Sequence, residues 1–203
     1  MARGVVLLTG FEPFGADKHN PSAEVASQLD GLPIGNLAVR SMRLPVESRR
    51  AMARVSAAID TLRPRAVVGL GQAAGRAVIC VEQVAVNLFD TDESGGGLTP
   101  RKLVAAGPDA YFTRLPVGAI VRALRKNGIP ASPSLSAGIF VCNAVMYTSL
   151  HALRRRPTTP AGFIHLPYEA GQVAARPRNT ASMSLEVMRQ AVELALAVVV
   201  KEL

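Results

Sequence analysis

Cys142 is the residue whose type and position most favour covalent chemistry. It follows a run of small turn residues, Ser136, Ala137 and Gly138, and it opens a segment with helical spacing that continues through Leu153. The positive end of a helix dipole lowers the pKa of a nearby thiol and raises the fraction of thiolate. A thiol in the first turn of a predicted helix is therefore a candidate nucleophile. On position alone, a packed helix residue is an equal alternative.

The chain has three histidines that can be compared as the general base for such a thiol. His151 lies nine residues after Cys142, and at about 100° per residue the two side chains point to roughly opposite faces of one helix. His19 occurs in a polar loop, where a solvated side chain is the default. His165 lies in an otherwise apolar strand close to Pro167, and open α/β sheets bind ligands at strand ends. His165 is thus the candidate base, with a purely structural role as the alternative.

Glu82 is the candidate third member of this group. It interrupts the apolar run of residues 78–86, and an ionised carboxylate is costly to bury unless something pairs with it. A buried acid can fix the tautomer of a catalytic imidazole and stabilise the cation formed on proton transfer. Pairing with a nearby cation such as Arg76 is the open alternative. The other thiol, Cys80, lies in the same apolar run and is interpreted as a small buried hydrophobe.

Composition narrows the class of protein. At 203 residues and 49% hydrophobic content, residues 1–203 are expected to form a single domain. The two cysteines have neither metal-binding nor redox spacing, so we expect free thiols, no metal and a reducing compartment. With no export signal or bilayer-length apolar run, we expect a soluble cytoplasmic protein that does not enter membranes. The net charge of +8 is scattered and only 4% of residues are aromatic, which argues against nucleic-acid binding.

The elements that must position these residues alternate between strands and helices. Apolar runs at residues 5–8 and 67–71 each end in glycine-containing loops and predict parallel strands, with helices at 22–29 and 47–62 between them. This alternation predicts an α/β fold. The later part of the chain is predicted as a strand at 78–87, an acidic glycine-rich lid at 91–97, a helix at 116–127, a strand at 129–135, the Cys142 helix, a strand at 162–167 and a last helix at 184–200.

Five short sequence motifs, spread along the chain, are informative when they are considered together. They are residues 9–15 (TGFEPFG), 71–76 (GQAAGR) with 81–82 (VE), 136–143 (SAGIFVCN), 162–168 (GFIHLPY) and 182–186 (SMSLE). In this order, they resemble the pyroglutamyl peptidase I family, also called pyrrolidone-carboxylate peptidases. The resemblance covers nearly the whole chain.

The resemblance implies a cysteine omega-peptidase that removes an N-terminal pyroglutamyl (5-oxoproline) residue from peptides through a thioester acyl-enzyme. Glu82, Cys142 and His165 match the family's triad positions, and no metal or organic cofactor is implied. The implied fold is a single-domain, three-layer α/β/α arrangement with a twisted, largely parallel central sheet of the phosphorylase/hydrolase-like kind. The family also implies a cytosolic setting and, often, a homotetramer.

The implied substrate accounts for several further residues. A pyroglutamyl terminus is an uncharged lactam, so its pocket should offer flat apolar walls and a few amide hydrogen bonds in place of an acidic clamp. Phe11 and Phe14 match the family's ring-holding phenylalanines. Phe140, beside the nucleophile, is a further candidate wall, and Gln72 is a candidate polar contact. Core packing is the alternative for each phenylalanine.

The segment after Asn87 departs from the family pattern. Family members usually carry an Asp, a nearby Arg and a turn resembling Ile-Pro-Asp-Asn, whereas residues 88–97 here read LFDTDESGGG. The matching Arg is missing. Two alternatives to the pyroglutamyl peptidase activity therefore stay open: a thiol amidase for another small acyl amide, and a catalytically weak binding homologue.

Overall fold

The computed structural model describes residues 4–89, 101–174, 176 and 179–203. Its elements in chain order are β1 (Val5–Phe11), α1 (Pro21–Gln28), β2 (Pro33–Ile34), β3 (Leu37–Leu44), α2 (Ser48–Leu62), β4 (Ala66–Gln72), β5 (Ile79–Glu82), β6 (Val84–Val86), β7 (Ala110–Phe112), α3 (Val117–Lys126), β8 (Ala131–Ser134), α4 (Val141–Ala152), β9 (Ala161–Leu166), β10 (Tyr168–Glu169), α5 (Ala170–Val173), β11 (Ser182–Met183) and α6 (Leu185–Lys201).

A seven-stranded sheet forms the centre of the molecule, in the order β2-β3-β1-β4-β9-β5-β8. Strands β3, β1, β4 and β9 run parallel to one another. β2 pairs antiparallel to β3, β5 pairs antiparallel to β9, and β8 runs parallel to β5. Two further two-stranded sheets join β6 with β7 and β10 with β11. The predicted α/β class with a largely parallel sheet is confirmed.

Helices cover both faces of this sheet. Along β1, Val6 and Leu8 point into one apolar cluster, which includes residues of α1, α3 and α6. Leu7 points into the opposite cluster, which includes residues of α2 and α4. Successive side chains of a strand point to opposite faces, so a short run of apolar residues supplies both cores. Within the described ranges, no helix has the length and apolar character required to cross a bilayer.

The predicted single strand at 78–87 is wrong in one respect, because the chain changes partners in its middle. β5 belongs to the central sheet, while β6 pairs with β7. Between them, Gln83 donates its N–H to the Ser134 carbonyl at 2.8 Å and accepts a hydrogen bond from the Thr113 N–H at 2.8 Å. The backbone of Gln83 is therefore hydrogen-bonded on one side to the end of β8, in the central sheet, and on the other side to the residue after β7, in the two-stranded sheet.

Other sequence-based boundaries hold to within a few residues, but β3 was not predicted. Only Leu37, Val39 and Leu44 of its residues are fully enclosed, and Arg40 and Arg43 are exposed, so the strand lacks a continuous apolar run. The lid predicted at 91–97 lies outside the described residues.

The topology brings three strand ends to one edge of the sheet. Phe11 ends β1, Gln72 ends β4 and His165 lies one residue before the end of β9. Because these strands are parallel, their carboxyl ends lie side by side, which is where open α/β sheets bind ligands.

Candidate active site

A cavity of about 570 Å³ lies at this edge of the sheet. Six of the seven site residues predicted from sequence line it: Phe11, Phe14, Gln72, Phe140, Cys142 and His165. The seventh, Glu82, is fully buried and lies behind His165. The structure thus gathers residues from across the whole sequence around one cavity.

Glu82 and His165 form a short, enclosed hydrogen bond. Glu82 Oε1 lies 2.7 Å from His165 Nδ1 and also accepts a hydrogen bond from Arg76 at 2.9 Å. A carboxylate only accepts, so Nδ1 carries the proton and Nε2 of a neutral ring is left as the acceptor. The two sequence-based alternatives for Glu82, an imidazole partner and an Arg76 partner, therefore coexist on one oxygen. In the part of the chain that the structure describes, Glu82 Oε2 has no hydrogen-bond partner.

The sulfur of Cys142 lies against β4, the strand that pairs with the His165 strand β9. Cys142 is the second residue of α4, and a Cβ built on Gly71 would lie 2.8 Å from its Sγ. Gly71 is the register partner of His165 in the β4–β9 ladder. The same built Cβ would come within 2.9 Å of the Phe163 ring, and real Cβ atoms do not approach other atoms that closely. A side chain at position 71 would therefore collide with both the sulfur and the Phe163 ring, and glycine avoids this.

The first turn of α4 supplies hydrogen-bond donors next to this sulfur. The first backbone N–H of the helix to bond within it is that of Ala144, which donates to the Phe140 carbonyl at 3.0 Å. The N–H groups of Val141, Cys142 and Asn143 have no carbonyl one turn earlier to accept from them. Val141 and Cys142 both line the cavity, so this end of the helix faces it.

The electrostatics of the thiol differ from the sequence-based expectation. Burial of the sulfur, together with the nearby charge of Glu82, raises the pKa of Cys142 to about 12, although a backbone hydrogen bond and Arg76 act in the opposite direction. Although the residue as a whole is partly exposed, its sulfur points inward against Gly71. The prediction of a lowered pKa was wrong because it considered only the helix and not the environment of the sulfur. The resting thiol is therefore neutral.

Aromatic rings form the apolar walls of the cavity. Phe11 is 2% exposed and packs on Phe163 with ring centroids 6.4 Å apart. Phe14 and Phe140 are 43% and 48% exposed at the cavity mouth. The alternative of simple core packing thus fits Phe11 in part but does not fit Phe14 or Phe140.

Gln72 lines the cavity, but its side chain is bonded elsewhere. Its Nε2 donates to Asp17 Oδ2 at 3.2 Å and its Oε1 accepts from Gln172 Nε2 at 2.9 Å. The carboxamide therefore helps to build the frame of the cavity, and its contact with a ligand stays a prediction, because a second N–H and a second lone pair are left over.

Two residues of the site were not singled out from sequence. Asn143 is fully buried and clamps the neighbouring backbone: its side chain accepts from the Val86 N–H at 2.8 Å and donates to the Val86 and Leu88 carbonyls at 2.9 and 2.8 Å. Phe163 stacks at a tilt with its centroid 5.0 Å from that of His165. Its position two residues before His165 on one strand, hence on the same face, was the signal that could have identified it.

The remaining histidines lie away from the cavity lining. His151 Nδ1 is 2.8 Å from the Tyr111 hydroxyl, and His19 Nε2 is 3.6 Å from a Glu169 carboxylate oxygen. Among the described residues, no cluster of three or more His, Cys, Asp or Glu side chains is arranged to hold a metal ion.

Comparison with known proteins gives consistent matches along the chain. The family model described as pyroglutamyl peptidase matches residues 4–202. A pyrrolidone-carboxylate peptidase of Klebsiella pneumoniae is 46% identical over 200 residues, covering 97% of this chain and 93% of that protein. The pyrrolidone carboxyl peptidase structure from Thermococcus litoralis superposes with a TM-score of 0.92 at 40% identity, covering 98% and 94% of the two chains. Pyroglutamyl peptidase I of Bacillus amyloliquefaciens gives a TM-score of 0.91 at 34% identity, covering 98% of each.

Proposed function

The chain belongs to the pyroglutamyl peptidase family of cysteine peptidases, and from this premise we propose how its own residues remove an N-terminal pyroglutamyl residue from a peptide. Cys142 is the proposed nucleophile, His165 the proposed general base and acid, and Glu82 the proposed orienting carboxylate. The observation that carries this assignment is the position of His165. It hydrogen-bonds buried Glu82 through Nδ1 and lines the same cavity as the Cys142 sulfur.

The cavity suits an uncharged lactam ring. Its walls include Phe11, Phe14 and Phe140, and no carboxylate is among the described residues that line it. A free α-amino terminus is charged at neutral pH, and desolvating that charge without an acidic partner is costly. A pyroglutamyl terminus has no such charge because its nitrogen is an amide. The pocket therefore favours the cyclised residue over an ordinary N-terminus.

Acylation begins with a neutral thiol. As Cys142 Sγ attacks the pyroglutamyl carbonyl carbon, its proton passes to His165 Nε2, and the resulting imidazolium is stabilised by Glu82. The negative charge that develops on the carbonyl oxygen is stabilised by backbone N–H groups in the first turn of α4. Collapse of the tetrahedral intermediate breaks the C–N bond. The departing amine takes the proton from His165 and leaves a thioester on Cys142.

Deacylation repeats the same proton transfers with water. His165 Nε2 removes a proton from a water molecule as its oxygen attacks the thioester carbon. The C–S bond then breaks, the proton returns to sulfur, and pyroglutamate is released. Apart from the substrate and this water, the proposed pathway uses side chains and backbone groups of the described site.

Arg76 supports the charge state that this pathway needs. Glu82 is 0% exposed, and an isolated ionised carboxylate in such surroundings would favour protonation. The guanidinium at 2.9 Å provides the compensating positive charge. We therefore assign Arg76 a positioning role that acts through Glu82.

The proposed activity is tested with a panel of fluorogenic amides that share one leaving group. We expect the pyroglutamyl amide to exceed the prolyl and glutaminyl amides in kcat/KM by about 10³-fold or more, because each analogue brings a charged amine into an apolar pocket. Comparable rates on all three, or a clear preference for another acyl amide, would favour the thiol-amidase alternative. No turnover of any member would favour a binding homologue.

The raised pKa of Cys142 predicts how the free enzyme reacts with iodoacetamide. Thiolate is the reactive form, and because burial raises the pKa of Cys142, the thiolate forms at higher pH than in an ordinary thiol with a pKa of roughly 8.5. We expect the alkylation rate at Cys142 to keep rising above pH 9, measured by mass spectrometry of the labelled peptide. A rate that reaches its plateau at or below neutral pH would contradict this. Cys80, only 5% exposed, is the internal reference on the same chain.

Compartment and assembly complete the proposal. A cytoplasmic location is supported by the two cysteines, both of which have free thiols. A homotetramer is supported by the family resemblance alone. Light scattering on the purified chain during size-exclusion chromatography measures the assembly directly.

A further inference from the structure

Four residues, of which Gln72 lines the cavity, form a closed ring of hydrogen bonds, here called the rim ring: Asp17, Gln72, Gln172 and Arg176. Gln72 Nε2 donates to Asp17 Oδ2 at 3.2 Å, and Gln172 Nε2 donates to Gln72 Oε1 at 2.9 Å. Arg176 Nε donates to the Gln172 carbonyl at 3.2 Å, and its terminal nitrogen donates to Asp17 Oδ1 at 2.5 Å. The rim ring joins the β1–α1 loop, the end of β4 and the segment that contains α5.

Asp17 is also the last residue of the turn that presents Phe14 to the cavity. The Asp17 N–H donates to the Phe14 carbonyl at 3.2 Å, and Gly15 between them has a φ of 61°, which a side chain would strain. Phe14 is 43% exposed, so its own packing does not fix the position of its phenyl group. Fixing the Asp17 side chain therefore fixes the turn.

Arg176 is held from more than one side. Its guanidinium carbon lies 4.2 Å from the centroid of the Tyr168 ring, and Tyr168 is itself buried. Gln172 is anchored in turn, because its Oε1 accepts from the Glu169 N–H at 2.9 Å and its Nε2 also reaches the His19 carbonyl at 3.3 Å. The loop of Phe14 is thus tied to a braced segment more than 150 residues later in the chain, as the separation of Asp17 and Arg176 shows.

We propose that the rim ring is a substrate-positioning device that holds Phe14 where it can pack on the pyroglutamyl ring. This inference rests on the proposed function. Asp17 and Arg176 touch neither substrate nor the reacting atoms and act through Phe14. Their loss therefore weakens binding of the acyl ring and leaves the chemistry at Cys142 and His165 unchanged.

Steady-state kinetics on the pyroglutamyl amide separate these two effects. We expect Asp17→Asn and Arg176→Met each to raise KM about five- to twentyfold with kcat within about twofold, because a loosened wall costs binding and orientation before chemistry. The double variant should be no worse than about twice either single variant, since both break one ring. Arg176→Lys should restore part of the loss. The matched control is Arg189→Met, which removes a cation paired with Glu186 and Glu193 on α6, outside this cavity.

A second measurement reports on Phe14 without using activity. The chain contains three tyrosines but no tryptophan, so Phe14→Trp introduces a single tryptophan in the turn, whose emission can be excited selectively. In this background, we expect Asp17→Asn and Arg176→Met to raise the acrylamide quenching constant about twofold or more. Arg189→Met should leave it unchanged.

The outcomes distinguish the inference from the proposed function. An unchanged quenching constant in both rim-ring variants overturns the inference, whether or not the parent cleaves pyroglutamyl amides. Increased quenching with an unchanged KM also overturns it, because the ring then holds the turn without serving the substrate. A parent with no pyroglutamyl activity overturns the proposed function, and the quenching data still test whether the ring positions Phe14.

Discussion

Cys142→Ala is expected to lower kcat/KM on a pyroglutamyl amide by about 10⁴-fold or more, because the substitution removes the sulfur proposed to form the thioester. Alanine keeps the Cβ and the helix propensity of the position. The sulfur it removes lies against Gly71, and Cys142 packs against the second apolar cluster as a partly buried residue and not as one of its fully buried members. We therefore expect the fold to persist, with a circular dichroism melting curve close to that of the parent.

The matched control for this prediction is Cys80→Ser, which alters the other free thiol of the chain. Cys80 Sγ lies 3.6 Å from the Val78 carbonyl, and a serine hydroxyl can still donate there. We expect its kcat/KM to stay within about threefold of the parent, since it takes no part in acyl transfer. Residual activity above about 1% in Cys142→Ala, or an equally severe loss in Cys80→Ser, would remove Cys142 from the nucleophile's place.

Glu82→Gln is expected to reduce kcat by about 10²–10⁴-fold while KM changes little. The amide keeps the shape of the side chain but withdraws the negative charge that stabilises the imidazolium of His165. It also leaves the Arg76 guanidinium 2.9 Å from a neutral group, where its charge opposes protonation of the ring. The measurement is kcat on the pyroglutamyl amide across pH, and a loss smaller than tenfold would contradict the assignment.

A double-mutant cycle tests whether Arg76 acts through Glu82. Arg76→Met should cost about tenfold or more in the parent but less than about threefold in the Glu82→Gln background, because the charge it supports is already gone. Equal costs in both backgrounds would mean that Arg76 acts independently of the carboxylate. Glu186→Gln, at an exposed carboxylate on α6, serves as the control for charge removal alone.

Site residues could be predicted from the sequence where the local pattern of secondary structure and the chemistry of the side chain pointed to the same residue. Small turn residues before a helical run placed Cys142 near the start of α4, and a lone histidine near the end of an apolar strand placed His165 at the carboxyl edge of the sheet. Both inferences rest on regularities of strands and helices that act within about ten residues. The alternation of elements likewise led to the correct fold class.

What sequence did not reveal depends on contacts between distant segments. The split of residues 78–87 into β5 and β6 is decided by the carbonyl of Ser134 and the N–H of Thr113, which no local pattern anticipates. The side chain of Gln72 is engaged by Gln172, 100 residues away. The raised pKa of Cys142 follows from the packing of its sulfur between other elements, whereas the helix alone predicted the opposite direction.

The position of β9 in the central sheet bears on how the chain folds during synthesis. β9 inserts between β4 and β5, two strands that precede it by some eighty residues, and it brings His165 with it. Without β9, the edges of β4 and β5 that face it would be unpaired, and unpaired edges are prone to wrong pairing. A chain synthesised only as far as β8 also lacks His165, so we expect it to be inactive. The pairing of β9 would then complete the central sheet and the proposed active site together.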